Sequence, residues 1–96
     1  MQIKFMSQTW TIRDAEPREL PEATLGLCDP KTNTIIIEAT LTDWPRLQTV
    51  FHELFHVWEM TMHQGLTEQQ VDTMASAMLH CLHENPALLK IIEDQE

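Results

Sequence analysis

His52 and His56 stand four residues apart, with Glu53 directly after the first, in the pentapeptide His52-Glu53-Leu54-Phe55-His56. On an α-helix, residues at this spacing lie one above the other on the same face, so the two imidazoles can be offered to a single metal ion. Glu53 can then act as base toward a water that the ion polarises. The chemistry implied is zinc-dependent hydrolysis of a peptide bond, with His52 and His56 as metal ligands and Glu53 as the catalytic residue. The same residues also suit an amphipathic helix with two exposed histidines. The pattern therefore carries weight only with a helix beneath it, a sheet beside it and a third ligand within reach.

A catalytic zinc site uses three protein ligands and keeps a fourth position open. Glu59, His63, Glu68 and Asp72 compete for the third place. Glu59 and His63 would extend a row along the same helix, whereas a tetrahedral ion needs convergent donors. The longer HExxHxxGxxH pattern is also absent, because Glu59 and Met62 occupy its glycine and third histidine places. If the chain turns back through Gln64–Leu66 into a second helix, His56 lies roughly 12 Å from the turn at about 1.5 Å per residue. Asp72 and Ser76 are the polar positions nearest that level. Asp72 is the expected third ligand, and Glu68, whose place in the first turn also suits the helix dipole, is the alternative.

The elements needed to position these residues are legible in the surrounding pattern. Gln2–Phe5 and Thr9–Arg13 read as strands, the second alternating Trp10 and Ile12 with polar neighbours. Residues 14–21, with two prolines and several acids, read as a connection. Residues 23–28 and 33–37 flank the polar turn Asp29-Pro30-Lys31-Thr32 and predict a hairpin, and the run Ile35-Ile36-Ile37 predicts a strand covered on both faces. Asp43, followed by Trp44 and Pro45, predicts the start of a helix that runs to about Gln64 and stops at Gly65. Its apolar stripe is expected to be Leu47, Phe51, Leu54 and Trp58, with His52 and His56 on nearly the opposite side. Thr67-Glu68-Gln69-Gln70 is a capping box opening a second helix that ends near His83, and Asn85-Pro86 opens a short third one.

Composition sets the outer bounds. Ninety-six residues suffice for a single domain over 1–96 with one hydrophobic core. Fifteen acidic residues against six basic ones give a formal net charge of -9, which repels phosphate backbones and anionic membranes, so direct nucleic-acid binding through a basic patch is not expected. The first residues lack the apolar run of a signal peptide and no stretch is long enough to span a bilayer, which points to the cytoplasm. Cys28 and Cys81 are expected to be free thiols there. A small domain this rich in apolar residues could form a homodimer.

From His52-Glu53-Leu54-Phe55-His56 to Asp72-Thr73-Met74-Ala75-Ser76-Ala77-Met78-Leu79, the chain resembles the ImmA/IrrE-type metallopeptidases, especially small phage- and prophage-encoded zincin-like proteins. Asp72 stands where their second motif has glutamate, Ala75 matches, and Ser76 replaces an asparagine. Gly26-Leu27-Cys28-Asp29-Pro30 and Asn85-Pro86-Ala87-Leu88-Leu89 are similar as well, so the resemblance covers roughly residues 25–92. It implies an α+β fold of minimal zincin type: a small antiparallel or mixed sheet packed on the HExxH helix, a second antiparallel helix and a short C-terminal one. It further implies Zn²⁺ as cofactor, a protein or peptide as substrate, and a virus-encoded protein acting in the host cytoplasm. Ser76 would support the ligands, and a strand carrying Ile35, Ile36 and Ile37 would align the substrate backbone by β-addition. The aspartate is one methylene shorter than glutamate, so the second helix must approach more closely.

Two other readings compete. An acidic chain could sequester a basic host protein or mimic DNA without catalysis, keeping only the fold. A structural or assembly protein without any metal is the third.

Overall fold

Residues 1–95 are described in the structure, a computed structural model. The chain first reverses at Met6 and Ser7, whose φ values of 54° and 65° suit a two-residue turn that follows the twist of paired strands. This turn joins β1 (Gln2–Phe5) to β2 (Gln8–Asp14) in antiparallel pairing. Alternation along β2 buries Trp10 and Ile12 on one face, as their spacing implies.

β3 (Gly26–Asp29) and β4 (Thr34–Ile37) form the second hairpin. Its turn is held by Asp29, whose carboxylate accepts the Lys31 N–H at 3.0 Å and the Thr32 hydroxyl at 3.1 Å. β4 then pairs parallel to β2, giving a mixed sheet in the order β1-β2-β4-β3. Ile35, Ile36 and Ile37 are all buried, which is what an apolar residue at every position requires. Burial of this kind stabilises by about 1.5–3 kcal/mol per large aliphatic side chain before chain entropy is set against it.

This topology corrects one expectation. Ile35, Ile36 and Ile37 lie in a strand bonded on both sides, so β4 has no free edge to offer a substrate. The open edge beside the helices belongs to β3.

α1 (Asp43–Met62) crosses the sheet, and Val50 and Val57 join Trp10, Ile12, Ile35 and Ile37 in the core. The buried face is rotated from the stripe expected: Leu47 is exposed, Leu54 packs at the core margin, and Val50, Glu53 and Val57 are the buried positions. Glu53 follows Val50 by three residues and precedes Val57 by four, so the spacing that anchors the helix to the sheet also buries the glutamate. Thr42, not Asp43, occupies the cap position, and it makes no side-chain capping bond.

α1 ends at Met62, with His63 in the left-handed conformation at φ 55°, and Gly65 follows at φ 65°. The turn leads to α2 (Glu68–Glu84), whose capping box forms as the sequence implies: Thr67 Oγ1 accepts the Gln70 N–H at 3.1 Å, and Gln70 Oε1 accepts the Thr67 N–H at 2.9 Å. Val71, Ala75 and Leu79 are the buried positions of α2, which packs against α1. α3 (Pro86–Glu93) buries no residue and touches mainly α2. Asn85 does not cap it by side chain; its Nδ2 donates to the Cys81 carbonyl at 2.8 Å. The architecture is α+β, and among the described residues no helix is long and apolar enough to cross a membrane.

Candidate metal centre

α1 and α2 bring His52, His56 and Glu68 to one point. The Nε2 atoms of the two histidines face each other at 3.2 Å, and the Glu68 carboxylate spans them, Oε2 at 2.9 Å from His52 and Oε1 at 2.8 Å from His56. One nitrogen from each histidine and one Glu68 oxygen all lie within 4.8 Å of one another. A tetrahedral ion bound at about 2.0–2.1 Å holds neighbouring ligand atoms about 3.3–3.4 Å apart, and the two Nε2 atoms at 3.2 Å are already close to that separation.

The outer nitrogens are also engaged. His56 Nδ1 meets Glu59 Oε1 at 2.9 Å, and His52 Nδ1 meets Asp72 Oδ1 at 3.3 Å. A carboxylate only accepts, so a neutral imidazole bonded to its outer carboxylate carries the proton on Nδ1. In the neutral tautomer that leaves both Nε2 lone pairs pointing inward, toward each other and toward an anionic carboxylate. Such a convergence of acceptors is repulsive unless a cation or extra protons sit among them, and two imidazoles with one carboxylate are a donor set that suits zinc.

Of the two carboxylates weighed for a third ligand, Glu68, the alternative, is the one grouped with both histidines, and Asp72 is not. α1 ends two residues short of Gln64, so the level of His56 falls nearer the beginning of α2 than helix counting from Gln64 implies. The longer glutamate side chain covers the remaining gap. Asp72 instead reaches the far nitrogen of His52, and its side chain is 65% exposed. Ser76 bonds neither His52 nor His56 among the described residues; its carbonyl pairs with His80 Nδ1 at 2.8 Å.

Glu53 lies on the sheet side of the cluster and is 6% exposed. Burial raises the pKa of its carboxyl; His52 and His56 pull it back down, and Glu68 pushes it up. β3 closes over it at Gly26. A methyl group at that position would stand 2.8 Å from Thr49 Cγ2 and 3.1 Å from Glu53 Oε2, so the absence of a side chain there makes room for the carboxylate. Cys28, next on the same face of β3, has its thiol pKa pushed up to about 12 by burial and by the charges of Glu53 and Asp29.

A groove of about 680 Å³ runs over these groups, bordered by Leu25, Leu27 and Met60 as well as by His52, Glu53, His56 and Glu68. Comparison with protein families, curated proteins and solved structures finds no match for the chain.

Two participants escape sequence reasoning. Glu59 is set aside when judged only as a ligand, although a carboxylate three residues after a liganding histidine can bond its outer nitrogen. Gly26 gives a fainter signal: the chain has only two glycines, and one of them falls inside a strand, where glycine often marks a close approach.

Proposed function

We propose that the chain is a small zinc-dependent peptide hydrolase with a zincin-like arrangement, akin to the ImmA/IrrE-type enzymes its motifs resemble. His52, His56 and Glu68 would hold the ion. The observation that carries this reading is the convergence of both Nε2 atoms on the Glu68 carboxylate while Glu59 and Asp72 occupy the outer nitrogens. When bound, zinc supplies a Lewis acid that lowers the pKa of water and polarises a carbonyl.

Glu53 takes the proton of the attacking water and returns it to the leaving amine nitrogen. Its buried position and raised pKa favour a carboxyl that can hold that proton in passing. β3 supplies the alignment expected of the isoleucine strand. Leu25 accepts the Glu38 N–H toward β4 at 2.9 Å, and antiparallel pairing alternates, so Gly26 and Cys28 turn their backbone N–H and C=O groups to the free edge along the groove. An extended peptide added there would pass across the histidine pair.

The test is metal analysis of untagged protein together with peptide cleavage by the parent chain and by Glu53→Gln. Stoichiometric zinc in both, with cleavage lowered at least about a hundredfold in Glu53→Gln, is the expected result. Protein that neither carries nor takes up zinc sinks the reading. The acidic interaction protein stays as second reading because Leu88, Leu89, Ile91 and Ile92 are exposed on α3 in a chain of net charge -9. A binder of that kind keeps its biological effect in Glu53→Gln.

A further inference from the structure

One carboxylate at the centre reaches two elements at once. Glu59 lies one turn beyond His56 on α1, and its side chain is only 13% exposed, against 65% for Asp72. Oε1 meets His56 Nδ1 at 2.9 Å, while Oε2 accepts the backbone N–H of Leu66 at 2.6 Å. The Glu59 carbonyl also accepts the His63 N–H and, at 3.0 Å, the Gln64 N–H. Side chain and backbone of this single residue thus fasten both the imidazole and the turn between the helices. Two residues beyond Leu66, α2 begins with Glu68.

We propose that Glu59 is the principal positioning residue of the metal centre, aiming His56 Nε2 into the site and, through Leu66, fixing the turn that delivers Glu68. This role rests on the metal-site reading above. Asp72 performs only the first half of that work, for His52, over a longer contact and in solvent. The two outer carboxylates therefore contribute unequally. Both carboxylate oxygens of Glu59 are used as acceptors, and glutamine keeps only one acceptor, so Glu59→Gln preserves one contact and loses the other.

Zinc affinity of untagged protein, measured by competition with a chromophoric chelator, is the first readout. Loss of an outer partner of a liganding histidine typically weakens metal binding about 10–100-fold, and Glu59→Ala should fall in or beyond that range. Glu59→Gln should recover part of the loss, and Asp72→Ala should weaken binding less than about tenfold. Hydrogen exchange at the Leu66 amide is the second readout, expected to accelerate in Glu59→Ala and not in Asp72→Ala; the visible spectrum of the cobalt-substituted protein should change in the same order. If Glu59→Ala folds poorly, nitrogen NMR of the parent decides: metal on His56 Nε2 with the proton on Nδ1 supports the role, and the reverse overturns it. Unchanged zinc affinity and unchanged Leu66 exchange in a folded Glu59→Ala also overturn it while leaving the metal site standing. A parent chain that binds no zinc overturns the site and this role together.

Discussion

His52 and His56 sit toward the turn of the helical hairpin, and His80 and His83 sit toward its far end, where α1 begins. The first pair turns Nε2 to Nε2 at 3.2 Å, because Asp72 and Glu59 hold the outer nitrogens and Glu68 bridges the inner ones. The second pair packs edge-on against Trp44, with ring centroids 5.0 and 5.1 Å away, and His80 spends Nδ1 on a backbone carbonyl. Both pairs obey helical spacing. The difference lies in the carboxylates: those on the outer nitrogens aim imidazoles at a common point, and an aromatic face between two rings aims them at itself. Spacing alone makes a histidine pair, and its neighbours decide whether the pair is a ligand set or a packing element.

The sharpest way to break this comparison is to exchange the fates of the two pairs. His56→Ala should weaken zinc binding by at least about a hundredfold, beyond the cost of losing an outer partner, whereas His83→Ala should leave it unchanged. Equal losses in calorimetric titrations of the two variants would erase the distinction.

The two thiols extend the contrast. Cys28 lies beside Glu53 with a pKa raised to about 12 from the usual 9.0, while Cys81 is exposed next to His80. At mildly alkaline pH the thiolate population of Cys28 should be about a thousandfold below that of an ordinary thiol, so alkylation should mark Cys81 first and reach Cys28 only on unfolding. The raised value has a consequence for stability. Below pH 9 the thiol is neutral in both states; above it the unfolded chain ionises first, so stability falls as pH rises toward 12. Urea midpoints of the parent should drop over that range more than those of Cys28→Ala.

Much of this was legible in the chain. The β3–β4 hairpin, the three helices and the capping box at Thr67 follow from periodicity and turn residues, and the unbroken run Ile35-Ile36-Ile37 announces a strand covered on both faces. That this strand lies between β2 and β3, with no edge to offer, comes only from strand order, since cover on both faces does not set a strand's place in its sheet. Which face of α1 is buried was harder to see, because large apolar residues occupy more than one side and the β-branched Val50 and Val57 go to the sheet. That Glu68 rather than Asp72 lies beside both histidines turns on where the helix stops. His63 takes a left-handed conformation that sequence favours for glycine, ending α1 before Gly65.

Gly26 tests how closely the sheet must approach the centre. A methyl group there would meet Thr49 Cγ2 at 2.8 Å, and Thr49 has little room to turn because its hydroxyl bonds the Pro45 carbonyl at 2.9 Å. Gly26→Ala should cost about 1–3 kcal/mol of stability, as overpacking does, and should displace Glu53 as well. Denaturant midpoints report the first effect, and a fall in cleavage rate with zinc content intact reports the second. No comparable demand exists at Gly65, where added bulk meets nothing within 4 Å and only the positive φ objects.

The smallest effect belongs to the other histidine pair. Trp44 is half-buried at the beginning of α1 and meets His83 edge to face at an interplanar angle of 71°, so the contact joins the start of one helix to the end of the next. Edge-to-face aromatic pairs contribute about 0.5–1.5 kcal/mol beyond the area they bury, and partial exposure places this one near the lower bound. A double-mutant cycle with Trp44→Leu and His83→Leu isolates the pair from the separate losses of packing. A coupling of about 0.5 kcal/mol, the same with and without zinc, is expected if the far end of the hairpin serves only to clasp the helices. Coupling that grows when zinc is added would mean that the clasp and the proposed metal site share one equilibrium, and the division between the two histidine pairs would then have to be redrawn.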